Sequence, residues 1–286
     1  MRSRTLLNLA LLLLVVLLGL YVFKTQQPDT DESTDRLTQL NADAIERIQI
    51  RHQQRGLELQ KQQGRWRMLA PIDIAANDFR IGTLLKLLES TSHAAYAVAD
   101  LDLEQYGLAD ATTAIRFNDT AIEFGIVNPI NSYRYVRIDD TIHLIDDHYY
   151  PLLSSQTGTL VARELIDPEA SIEKLVLPDM TLYKDDNGLW QSSGTVDPDA
   201  ISAVLHEWQH GQAFGVHNYM PRDSVAEISV YLADGAEPIR FEVTDTDPWL
   251  IIARPDLNIE YHFNLEFYDR LLRPGSTEEP ADEAEG

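Results

Sequence analysis

The hexapeptide Ile45-Glu46-Arg47-Ile48-Gln49-Ile50 returns in the second half of the chain as Ile172-Glu173-Lys174-Leu175-Val176-Leu177. The residues after each copy are also alike. A second alternating run comes next, Gly56–Leu59 in one half and Met180–Tyr183 in the other. Then come a turn and a tryptophan: Gln63-Gly64-Arg65-Trp66 against Asn187-Gly188-Leu189-Trp190. Alternation of apolar and polar residues marks a strand with one buried face, and a glycine-bearing pair between two such runs marks a hairpin. A recurring order of elements restricts the fold to copies of one supersecondary unit.

The two halves stay in step. Helical spacing predicts a helix from about Asp78 to Ser90, with Phe79, Ile81, Leu84, Leu85 and Leu88 apolar. Its counterpart runs from about Asp199 to His210, carrying Ile201, Val204, Leu205 and Trp208. Asn77 or Asp78 suits the first N-cap, and Asp197 before Pro198 suits the second. Strands come next in both halves. Ala114–Phe117, Ala121–Gly125, Tyr133–Ile138 and Thr141–Ile145 match Glu227–Leu232, Ile239–Val243, Trp249–Ala253 and Ile259–Phe263. Turns are expected at Asn118-Asp119, Asp139-Asp140, Asp234-Gly235 and Pro255-Asp256. A short apolar helix closes each half, Asp147–Leu153 and Leu265–Leu272. The expected fold class is α+β: two related strand-helix-strand-helix units with antiparallel sheets, preceded by one N-terminal transmembrane helix. The first unit covers 45–156, a linker 157–170, and the second unit 171–273.

The expected transmembrane helix lies in residues 5–23, where only Thr5 and Asn8 are clearly polar. About 20 apolar residues span a bilayer, and this run is apolar on every side. No small-residue cleavage site comes after it, which favours an uncleaved signal anchor over a signal peptide. Arg2 and Arg4 precede the run, while Asp29, Asp31, Glu32 and Asp35 come after Lys24. The positive-inside rule then places residues 1–27 as a cytoplasmic tip and anchor, with the rest outside. The expected location is the bacterial inner membrane, with a single span, a cytoplasmic N-terminus and a periplasmic ectodomain. Residues 28–44 read as a tether, and 274–286, which end in GSTEEPADEAEG, as an acidic disordered tail.

Charge and cysteine count exclude several functions. The chain has 46 acidic and 23 basic residues, a formal net charge of −23, so nucleic acid is not an expected partner. Removing Arg2, Arg4 and Lys24 with the anchor leaves the remainder more acidic still. The absence of cysteine rules out disulfides, thiolate metal sites and a cysteine nucleophile.

Several stretches together carry a family resemblance. They are Ile45–Ile50, Gly64-Arg65-Trp66, Ala70-Pro71 with Ala75-Ala76-Asn77, Gln105-Tyr106-Gly107-Leu108, the strand Ala114–Phe117, and Leu160–Leu165 leading to Ile172. In these places the chain resembles the bacterial domain of unknown function DUF4340, over most of Ile45 to about Arg273. Members often carry a proline shortly after the Tyr-Gly-Leu, where this chain has Ala109-Asp110-Ala111. The family has no assigned reaction. Some members resemble accessory subunits that stand beside ABC-type transporters of the gliding-motility kind. The resemblance implies an anchored accessory or scaffold protein with a membrane or envelope protein as partner.

One motif carries possible chemistry. His206-Glu207-Trp208-Gln209-His210 fits H-E-x-x-H, in which two helical histidines hold Zn²⁺ and the glutamate serves as general base. Ala213 and Val216 stand where the longer zinc motif needs glycine and histidine. Gly211, Gly215 and His217 are near but out of register. The favoured reading of His206 and His210 is a solvated helix end, and no catalytic, metal or cofactor site is expected. His143, His148 and His262 read as local hydrogen-bond partners. Tyr133, Tyr135, Tyr149 and Tyr150 read as sheet packing, and Asp139-Asp140 and Asp146-Asp147 as turns. The expected function is a non-catalytic accessory, scaffold or binding component of an envelope complex, associated with an ABC transporter. The alternative is a membrane-anchored zinc metallopeptidase using His206, Glu207 and His210.

Overall fold

The computed structural model describes residues 35–275. The expected transmembrane helix, the first part of the tether and the acidic tail beyond Gly275 lie outside the described residues. Among the described residues no helix is long and apolar enough to cross a membrane.

The first half runs β1 (Asp35–Arg36), β2 (Arg47–His52), β3 (Arg55–Gln62), β4 (Arg65–Ala70), β5 (Ile74–Ala75), α1 (Asp78–Leu85), β6 (Thr91–Ser92), β7 (Ala94–Ala97), β8 (Thr113–Phe117), β9 (Thr120–Val127), β10 (Arg134–Ile138), β11 (Thr141–Ile145) and α2 (Tyr150–Leu153). The second runs β12 (Ile172–Val176), β13 (Thr181–Lys184), β14 (Trp190–Ser192), α3 (Pro198–His210), β15 (Gly215–Asn218), β16 (Ala226–Leu232), β17 (Ile239–Asp245), β18 (Trp249–Arg254), β19 (Ile259–Asn264) and α4 (Phe267–Leu272). One sheet has the order β5-β4-β3-β2-β8-β9-β10-β11-β7 and the other β14-β13-β12-β16-β17-β18-β19-β15. With β5 set aside, the two sheets share one strand order. A short strand after the long helix returns to the far edge in both, as β7 in one and β15 in the other. β1 and β6 form a separate small pair.

The molecule is mostly antiparallel sheet with few helices, so the α+β expectation holds only in its coarse form. Helix α1 keeps eight residues and then tightens into a 3₁₀ turn over Lys86–Glu89, which buries Leu87 and Leu88. The closing helix of the first half shrinks to the four residues of α2. The expected turn at Asp234-Gly235 is a longer loop, and the one at Pro255-Asp256 is a 3₁₀ turn ended by Asn258 at φ +56°.

Sheet register matches the sequence alternation. On the core face Ile48 opposes Leu59 and Phe117, and Ile50 opposes Leu57 and Ile115. In the second sheet Leu175 opposes Leu182 and Val230. A one-residue slip would turn these side chains to water, which fixes the register. Helix α1 lays Ile81 and Leu84 on the first sheet. Helix α3 lays Ile201, Val204, Leu205 and Trp208 on the second. Asn77 caps α1 by accepting the Arg80 N–H at 3.1 Å, while Asp78 accepts the Trp66 N–H at 3.1 Å. Asp197 caps α3 by accepting the Asp199 N–H at 2.8 Å.

The stretch between the halves is packed inside. Leu160, Val161, Leu165 and Ile166 join the same apolar cluster as the cores of both sheets. Its backbone also stitches the sheets together. The Asn77 N–H donates to Leu160 O and the Ala162 N–H to Ala75 O, on the first-half side. The Ala213 N–H donates to Arg163 O, on the second-half side. Gly158 lets this seam close. A Cβ there would lie 2.6 Å from Val216 O and 2.9 Å from His217 N. Both neighbours are backbone of β15, which cannot step aside cheaply. We therefore expect Gly158→Val to cost about 1–3 kcal/mol through overpacking. A Gly158→Val chain with an unchanged thermal midpoint would show that the seam yields.

Candidate functional site

A cleft of about 600 Å³ opens where the halves meet. One wall is the start of α1, with Phe79 and Arg80. The floor is the seam, from Gly158 to Arg163, and the other wall is Phe214 with the start of β15, including His217. That size is typical of a binding cleft. Phe79 sits just inside the helix start and is 77% exposed, so its ring does not serve the core. Phe214 is 46% exposed on the facing wall. The Arg80 side chain has no hydrogen-bond or ion-pair partner among the described residues. Among the described residues the Arg163 side chain donates only to the neutral Gln212 amide oxygen, at 2.6 Å.

A polar cluster adjoins the β15 wall. Gly215 opposes His262 and His217 opposes Glu260, so these side chains share the outer face of the second sheet. Glu260 is 1% exposed. Arg222 Nη2 donates to both of its oxygens, at 2.9 and 2.8 Å, and the Met220 N–H donates at 3.0 Å. His262 Nε2 lies 2.8 Å from the same carboxylate. Burial pushes the Glu260 pKa up, but the Met220, His262 and Arg222 contacts outweigh it and hold the carboxyl below the ordinary glutamate value. The His217 ring lies 4.5 Å from the His262 ring, centroid to centroid. Burial lowers the His217 pKa, the His262 neighbour adds to that, and Glu260 opposes both. Phe214 meets both Trp249 and His262 edge-on, which continues the aromatic surface from the cleft onto the sheet.

The histidine motif lies elsewhere. His206 and His210 sit side by side on the exposed face of α3, with ring centroids 4.6 Å apart. Glu207 is engaged by Arg270, tying α3 to α4. Among the described residues no group of three or more histidine or acidic side chains is placed to hold a metal ion.

Other sequence candidates have structural partners. His143 Nδ1 lies 2.9 Å from Ser92 Oγ. Tyr133 stacks on His93 at 4.0 Å, Tyr135 OH accepts from Asn128 Nδ2, and the Arg134 guanidinium lies 3.7 Å over the Tyr150 ring. Asp147 accepts two bonds from Arg134, and Asp146 lies 3.2 Å from His93.

Sequence pattern alone does not single out Glu260 and gives His262 only a local role. Their spacing on one strand is the available signal, since residues two apart share a face. The pattern does not show the partner loop carrying Met220 and Arg222, which lies far away along the chain.

The family profile described as "Domain of unknown function (DUF4340)" matches residues 66–210. That range holds Phe79, Arg80 and the seam, and ends at the last residue of α3. No curated protein and no solved structure matches the chain. By this match over half its length, with the structural punctuation it carries from Trp66 to Leu165, the chain belongs to the DUF4340 family.

Proposed function

We propose that this chain is a single-pass protein of the bacterial inner membrane, with its N-terminus in the cytoplasm and its two sheets in the periplasm. It acts as a non-catalytic accessory or binding component of an envelope complex, one associated with an ABC transporter. Its ectodomain is built of two copies of one unit, a reading supported by the shared strand order. The anchoring reading is supported by the apolar run in residues 5–23, basic before it and acidic after it.

The observation that carries the binding role is the cleft. Two exposed phenylalanines face it, beside an arginine that has no partner among the described residues. Exposed aromatic rings in a concave surface mark contact sites for another molecule. The test is a photo-crosslinking amino acid at position 79 of the full-length protein in its own membrane. A discrete adduct with an envelope protein is expected. The control is the same label at position 130, where Ile130 is 91% exposed and away from the cleft lining. Identical adducts from both positions, or none from position 79, would remove the cleft as the binding surface.

A further inference from the structure

We propose that the cleft binds an acidic peptide segment of a partner protein, with carboxylates on Arg80 and Arg163 and an aromatic or large aliphatic side chain between Phe79 and Phe214. This rests on the reading of the cleft as the binding surface and adds the class of ligand.

The charge distribution argues for it. The chain has twice as many acidic as basic residues, 46 against 23, yet the cleft is lined by two arginines and a histidine with no aspartate or glutamate among the described residues. Other concavities are mixed. The groove over β2, β3 and β8 sets Arg51, Arg55 and Arg116 against Glu58 and Glu123. The hollow beside β4 sets Arg65, Arg67 and Arg254 against Asp73, Glu164 and Asp167. In the cleft the guanidinium of Arg80 is unpaired among the described residues, and that of Arg163 meets only an amide. A planar guanidinium recognises carboxylate through two parallel hydrogen bonds, and that pairing is stronger than one to a neutral acceptor.

The rest of the surface narrows the choice. The strongly acidic chain repels a long polyanion such as a nucleic acid. A flat bilayer does not enter a recess between two sheets. A short run of carboxylates interrupted by one apolar side chain matches both the basic and the aromatic walls. Mixed recognition of this kind places specificity in the charged pairs and affinity in the rings.

The experiment uses the full-length protein in neutral phosphatidylcholine nanodiscs. The probes are three fluorescein-labelled hexapeptides: Glu-Asp-Phe-Glu-Asp-Glu, its neutral counterpart Gln-Asn-Phe-Gln-Asn-Gln, and Glu-Asp-Gly-Glu-Asp-Glu. The first is expected to bind at least about tenfold more tightly than either of the others. Arg80→Gln with Arg163→Gln should weaken it by about tenfold or more, while Arg116→Gln, outside the cleft, leaves it unchanged. Circular dichroism of each variant checks that the fold is intact. Equal binding of the acidic and neutral peptides, or binding indifferent to the double substitution, overturns the proposal. So does displacement of the peptide by phosphatidylglycerol vesicles acting through the same two arginines, which would assign the cleft to lipid. If the peptide fails while the position 79 adduct persists, the ligand class is wrong and the binding surface stands. If both fail, both readings fall.

Discussion

Trp208→Ala is expected to cost about 3–5 kcal/mol of stability, the range for removing a large buried aromatic side chain. Trp208 is fully buried on the inner face of α3. Its ring meets Phe241 of β17 edge-on at 5.4 Å, and its Nε1–H donates to Leu271 O at 2.8 Å. One side chain therefore joins α3 to the second sheet and to α4. Truncation leaves a cavity and also strips the Leu271 carbonyl of its donor. Trp208→Phe keeps most of the packing but loses the hydrogen bond and part of the ring volume, so its loss should be smaller, about 1–3 kcal/mol. For a folded region of this size, the alanine variant should lower the thermal midpoint by about 6–20 °C. Near-ultraviolet circular dichroism of the full-length chain tracks the melting. Equal midpoints for the alanine variant and the parent would mean that this part of the core collapses around the gap.

The apolar cluster runs unbroken through both halves, so that loss should not stay in the second sheet. Leu160, Val161, Leu165 and Ile166 connect the cores, and the seam hydrogen-bonds to both sides. The Trp208→Ala chain should then melt in one transition at a lower temperature. Two separated transitions would show that the halves unfold independently.

The strand pattern is readable in the sequence because each buried face imposes a period of two. Ile48 and Ile50, or Ile228 and Val230, announce their strands by alternation with polar neighbours. Helix α3 is readable for the same kind of reason, with Ile201, Val204, Leu205 and Trp208 on one stripe and Asp197 at its cap. The strands β7 and β15 are not readable. Ala94–Ala97 and Gly215–Asn218 are four residues each, too short to show a period, and they are strands because an exposed sheet edge recruits them. The cleft is hidden for a related reason. By spacing, Phe79 is one more apolar residue of an amphipathic helix, yet at the first turn it points away from the core. Phe214 and Arg163 meet it only after the seam has folded between the sheets.

Glu260→Ala is expected to cost about 3 kcal/mol at neutral pH, as breaking a buried charge pair does. It leaves the Arg222 fork without its main acceptor, the Met220 N–H unpaired, and His262 without the carboxylate beside Nε2. Asp245, 3.6 Å from Arg222, offers only partial replacement. The loss should depend on pH with a defined sign. The folded carboxyl titrates below its unfolded value, so its contribution is fully present above the unfolded glutamate pKa of about 4.3. That contribution fades as pH falls through the folded value. The gap between parent and Glu260→Ala midpoints should therefore be wide at neutral pH and shrink once the solution is acid enough to protonate the folded carboxyl. Glu260→Gln keeps an acceptor for Met220 and Arg222 and should fall between the two. A gap that stays constant into acid would mean that Glu260 acts by shape and not by charge. The strip of β15 and β19 carrying His217 and His262 would then be fixed by packing alone, and the aromatic wall of the cleft would stand without its buried carboxylate.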